Sequence, residues 1–114
     1  HAQASLGASN YDQLSDHGLT QASHLASYLI QNQAKPAHIL TGTLRRHIQT
    51  ATPYIEALQQ DQRVTHDARW NEFDFDQIVR LHIRQNNIDT KGYDQRAFFR
   101  LLKQAMLAWQ EGVL

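Results

Sequence analysis

The segment AHILTGTLRRHIQTA, residues 37–51, limits most strongly what this chain can fold into. Its first five residues are a short apolar run behind Pro36, suited to a buried strand. Thr41, Gly42 and Thr43 then turn the chain. From Leu44 the apolar residues recur at helical spacing: Leu44, Ile48, Ala51, Ile55 and Leu58. Pro53 lies within that helix and is expected to kink it, because its ring displaces the bond to the Gln49 carbonyl. A strand running straight into an amphipathic helix is a unit of α/β architecture.

The flanking sequence extends the pattern. Residues 1–13 read as a loop of small residues with Gly7, Asn10, Tyr11 and Asp12. A helix follows, with Ser15 as its N-cap and Leu19, Ala22, Ala26, Leu29 and Ile30 on its apolar face. Gly18 near its start is a mild cost in helix propensity. RVTHDAR, residues 63–69, reads as a weak second strand. Helical spacing returns through Ile78, Val79 and Ile83, and again through Phe98, Leu101, Leu102, Ala105 and Trp109, with residues 86–92 as the linker. Only two strands can be named, and a two-stranded sheet is marginal by itself. Further strands would resolve this, as would a mostly helical domain.

Composition excludes several functions. Lys plus Arg and Asp plus Glu number 11 each, so the net charge of zero gives no case for nucleic acid or an anionic membrane as partner. Cys is absent, which removes disulfides, a thiol nucleophile and thiolate metal sites. No apolar run approaches membrane-spanning length and no signal peptide is visible, so a cytoplasmic protein is expected.

Few residues stand out as chemical. Arg45 and Arg46 follow the strand-to-helix turn, where α/β proteins hold ligands and a helix N-terminus offers free N–H groups to an anion. They point in different directions from the helix, so only one is expected to face a site; two solvated arginines are the plain alternative. Glu72, between Trp70 and Phe73, could be desolvated enough for general-acid use, or could be an ordinary surface Glu in a turn. Asp74 and Asp76 make a weak metal signal. His17, His24, His38, His47, His66 and His82 show no HxxxH or HExxH spacing, so zinc ligation is not expected. No Ser has the nucleophile-elbow context.

Four motifs in order resemble the histidine phosphatase superfamily, the phosphoglycerate-mutase-like fold. HAQAS at residues 1–5 is similar to the Arg-His-Ala-Gln-Ala-Ser of one branch, without its leading Arg. LSDHGLTQASHL, TGTLRRHIQTA and WNEFDF resemble the segments that follow. The resemblance implies a three-layer α/β/α fold and metal-independent phosphomonoester hydrolysis through a phosphohistidine, with no cofactor and no metal. It implies His1 as nucleophile, Arg46 as phosphate-binding cation and Glu72 as proton donor. Gly7 stands where relatives carry a phosphate-contacting Asn, and Ser5 and Asn10 are the expected substitutes. The partner would be a phosphorylated small molecule or phosphoprotein.

The departures shape the remaining expectations. The Arg before His1, the strand that delivers both and the later Ser-His-Gly segment have no counterpart, nor does the Phe-Gly-x-Trp-Glu-Gly that often follows the acidic residue. The chain is therefore read as one partial domain over residues 1–114, lacking the first strand and the C-terminal part of the fold. Its motifs lie in 1–75 and a helical insert occupies 76–114. Little activity is expected of it alone. A phosphoglycerate-type mutase, a non-catalytic phospho-ligand-binding module and a helical interaction domain are the alternatives.

Overall fold

The computed structural model describes residues 1–59 and 62–114, which form two compact units, His1–Glu72 and Phe73–Leu114. Elements run in the order α1 (Asp16–Gln31), β1 (His38–Thr41), α2 (Arg45–Leu58), β2 (Arg63–His66), a 3-10 turn (Ala68–Trp70), α3 (Phe75–Asn86) and α4 (Gln95–Gln110). Among the described residues no helix is long and apolar enough to cross a membrane.

In the first unit β1 and β2 pair in parallel, with Ile39 opposite Val64 and Leu40 opposite Thr65. Parallel neighbours need a crossover, and α2 supplies it. The helix runs through Pro53 to Leu58. It packs on α1, and small residues set how close the two helices come: Gly18, Ala22 and Ala26 are the buried positions of α1. Ala22 and Ala26 lie where the spacing puts them and Leu29 is half-buried, but Gly18 takes the first place in the line, and Leu19 and Ile30 are exposed. On α2 the buried line is Arg46, Tyr54 and Leu58, while Ile48, Ala51 and Ile55 are half-buried. Ala26, Tyr54 and Leu58 form the core with Leu29, Ala34 and Ile39 around them. The Tyr54 hydroxyl donates to the Ala34 carbonyl at 2.6 Å, which meets the polar end of a buried ring.

The opening loop is fastened to both helices. Ala4 bridges Leu14 in antiparallel fashion, and both side chains are buried. The amide of Ala2 donates to Thr50 Oγ1 at 3.1 Å, and that of Leu14 to Gln49 Oε1 at 2.7 Å. Gln49 and Thr50 lie three and four residues after Arg46, so all three share the α2 face that meets the loop. Ser15 caps α1 by accepting from the Gly18 amide at 3.0 Å, while its own amide donates to the Gln3 carbonyl. Gln3 explains Gly18: a Cβ there would run into the Gln3 carbonyl oxygen and lie 3.2 Å from its amide nitrogen. The glycine lets the loop rest on the helix.

The second unit is a helix pair. Ile78, Val79, Leu101 and Ala105 are its buried core, with Ile83, Ile88, Leu102, Met106 and Leu114 packed against them. Asp74 caps α3 by accepting from the Gln77 amide, and Asp76 pairs with Arg80 at 2.9 Å, so both acids have structural roles. Asp94 caps α4, and Asn87 closes α3 in the left-handed region. Trp109 is 46% exposed and stands off the buried stripe, its ring 5.3 Å from that of Phe73.

Gly18→Ala tests the loop contact. Helix propensity alone would stabilise it by about 1 kcal/mol. The clash with fixed backbone should outweigh that, for a net loss of roughly 1–3 kcal/mol in urea unfolding. A stabilised variant would show that the loop does not sit on α1.

Candidate active site

The site is organised by a buried cation. Arg46 is 6% exposed, and a guanidinium so enclosed must be matched by acceptors. Its Nη1 donates to Asp12 Oδ1 at 3.0 Å and its Nε reaches Glu72 Oε2 at 3.4 Å. The Tyr11 ring lies beneath it, 4.9 Å from centroid to Cζ, as a cation–π contact. Arg45 is exposed. One arginine faces the site and its neighbour faces water.

Asp12 does a second task. Leu44, at the N-cap position of α2, has no side chain able to close the helix. Asp12 closes it from the opening loop, accepting from the amides of Arg45 at 3.0 Å and Arg46 at 3.1 Å. A carboxylate here also meets the positive end of the helix dipole. Burial pushes its carboxyl up, but the two amides and the Arg46 guanidinium outweigh that and hold it below its ordinary value. The amides expected to meet a ligand anion are thus occupied by Asp12. The Arg46 guanidinium is itself paired with Asp12 and Glu72.

His1 meets Glu72 over the same spot. Its Nδ1 lies 2.6 Å from the Ala2 carbonyl oxygen, and its Nε2 lies 2.7 Å from Glu72 Oε2. A carbonyl only accepts, so Nδ1 carries hydrogen and donates. Nε2 and the carboxylate then share one proton, since two bare lone pairs would repel at that distance. Trp70 is 61% exposed and Phe73 is exposed as well, so neither ring encloses Glu72. Its carboxylate faces His1 and Arg46 instead.

His1, Arg46 and Glu72 therefore come together. Ser5 is half-buried, its amide donating to the Gln13 carbonyl, and Asn10 is exposed; neither side chain hydrogen-bonds to the three. Sequence reasoning passed over Tyr11, Asp12 and His47. The His47 ring centroid is 5.5 Å from that of His1. Burial lowers the tendency of His47 to protonate, and the charge of Arg46 adds to this. Burial also pushes the Tyr11 hydroxyl up, with Glu72 adding to the effect and Arg46 opposing it. Gly42 keeps His47 in position, for a Cβ there would strike His47 Nδ1 and Asn71 Oδ1. His1 and His47 also border an open cleft of about 380 Å³ walled by Leu25, Leu29, Leu40, Tyr54 and Trp70.

The sequence profile of the histidine phosphatase superfamily (branch 1) matches residues 3–104. Among solved structures the chain is similar to a protein provisionally assigned as the phosphohistidine phosphatase SixA, from Agrobacterium tumefaciens. The TM-score is 0.55 at 20% identity, covering 78% of this chain and 60% of that one. The likeness is one of fold, and the chain spans about three-fifths of that protein's length. No curated protein matches the chain.

Asp12→Asn should cost roughly 1–2 kcal/mol at neutral pH, in the range of a lost helix cap. Because the folded carboxyl is more acidic than its ordinary 3.8, its contribution is complete above that pH and is lost as pH falls through the lower folded value. The difference in unfolding free energy between wild type and variant should therefore shrink below about pH 3.8. A difference independent of pH would exclude the charge as its source.

Proposed function

The chain belongs to the histidine phosphatase superfamily (branch 1), and on that premise we propose that it hydrolyses phosphomonoesters without a metal, through a phosphohistidine formed on His1. One observation carries the reading: the Nε2 of His1, the Glu72 carboxylate and the Arg46 guanidinium converge from three distant stretches of chain. The Nδ1–H bond to the Ala2 carbonyl supports His1 as nucleophile, because it fixes the tautomer that leaves Nε2 for attack.

The steps follow from where the proton lies. An entering phosphate separates Nε2 from Glu72, and their shared proton stays on the carboxyl group. The Nε2 lone pair forms the N–P bond as the P–O bond to the leaving alkoxide breaks. Glu72 gives its proton to that alkoxide. Water then attacks phosphorus, Glu72 takes a proton from it, and inorganic phosphate leaves as Nε2 regains its lone pair. Arg46 neutralises charge on the non-bridging oxygens throughout, while Asp12 and Tyr11 hold it in place.

Hydrolysis is preferred to a mutase reaction because Arg46 is, among the described residues, the one cation paired with Glu72 besides His1 itself. Moving phosphate between two positions of an acidic substrate calls for more. The name given to the structural neighbour makes a protein phosphohistidine the first substrate to try beside aryl phosphates. A cytoplasmic setting goes with this reading.

Turnover of an aryl phosphate should resist EDTA and vanish in His1→Ala. Labelled substrate should leave an acid-labile, alkali-stable phosphoryl group on the wild type. Arg46→Ala should lower kcat/KM by about 10²–10³-fold, as loss of a charge-stabilising donor does elsewhere. Hydrolysis that survives His1→Ala, or that EDTA abolishes, would remove the phosphohistidine reading.

A further inference from the structure

His47 has no part in the proposed reaction. It follows Arg46 directly in the sequence, and its ring sits beside that of His1. One ring nitrogen of His1, one of His47 and a carboxylate oxygen of Glu72 all lie within 4.8 Å of one another. The His47 Nδ1 is buried without a hydrogen-bond partner. Unmatched buried nitrogens are uncommon and call for an explanation.

We propose that His1, His47 and Glu72 form a binding site for a divalent cation of the zinc class, and that filling it silences the nucleophile. Two imidazoles and one carboxylate are a donor set that zinc accepts with a fourth position left to water. Ligand atoms around tetrahedral zinc stand roughly 3.4 Å apart, given bonds near 2.1 Å. Side-chain rotations of about an ångström therefore close the site from its present 4.8 Å limit. Mg²⁺ and Ca²⁺ prefer six or more oxygen ligands and find no such set here.

The electrostatics permit this. Arg46 opposes a cation beside Glu72, but Asp12 pairs with Arg46. The Asp12 and Glu72 carboxylates offset the two positive charges that bear on His47, the Arg46 guanidinium and the N-terminal amine. Nδ1 of His1 is committed to the Ala2 carbonyl, so Nε2 is the nitrogen left for the cation. The cation replaces the proton shared by Nε2 and Glu72, and that proton goes to solvent. No bond to carbon or phosphorus changes and no electron is transferred. The lone pair that would attack phosphate is then held in a coordinate bond.

Silencing rests on His1 being the nucleophile; cation binding does not, so calorimetry on the full chain comes first. Titration with Zn²⁺ should show one tight site, proton release that varies with the buffer's ionisation heat, and no comparable Mg²⁺ binding. His47→Ala should weaken it by at least the 10- to 100-fold that losing even an outer partner costs. His24→Ala, on the exposed face of α1, should bind as the wild type does. Circular dichroism checks that each variant folds, and His47→Gln replaces the alanine variant if that one does not. Co²⁺ should give the intense visible bands of a tetrahedral site in the wild type and His24→Ala, and not in the His47 variants. Zn²⁺ binding unchanged by His47→Ala or His47→Gln, or matched by Mg²⁺, would overturn the site. In an active preparation, zinc bound at this site without inhibition would overturn the silencing while leaving the site intact.

Discussion

A guanidinium held almost out of water has to find its counter-charges within the protein, and Arg46 meets that demand through residues far from it in sequence. Asp12 comes from the opening loop, Glu72 from the stretch after β2, and Tyr11 lies beneath. Each partner brings its own segment of chain. Asp12 brings the loop that carries His1 and supplies the cap that α2 lacks. Glu72 brings the far end of the first unit to His1. Satisfying one buried cation thus assembles the reactive pair, and loosening that cation would disturb both.

The proton between His1 and Glu72 links that arrangement to chemistry. With Nδ1 donating to a backbone carbonyl, the resting pair holds one proton at the point where the proposed reaction admits phosphate. In the proposed reaction the nucleophile is thus covered at rest, and its cover is the group that later needs the proton. The same property is what the proposed cation site draws on, and it gives His47 a place that the proposed hydrolysis does not. The glycine at position 42 is what leaves room for that ring.

Where the sequence was informative, periodicity was the reason. The run at 37–41 became β1, the apolar spacing behind it became α2, and the Ser15 cap stands where its side chain implied. Leu19 shows the limit of that logic: helical spacing put it on the buried face, but the residue buried one turn before Ala22 is Gly18, which lies against the loop. His1, Arg46 and Glu72 were marked through motifs, since no local rule connects residues so far apart. Asp12 and His47 were missed for the same reason. Asp12 acts on amides 33 and 34 positions away, and His47 becomes significant only when folding brings His1 beside it.

That separation also governs when reactivity appears. His1 and Glu72 are 71 positions apart, and closing a free loop of that length costs roughly 4 kcal/mol in chain entropy before any constant term. A single hydrogen bond returns about 1 kcal/mol net. The pair cannot hold itself together in an open chain; it exists because α1, α2 and the opening loop have already drawn the ends near. Reactivity should then arrive late, with the cooperative folding of the first unit, and disappear with it. A newly made or partly unfolded chain would carry the same residues with no site, so the proposed phosphate chemistry would stay off until its tertiary contacts had formed.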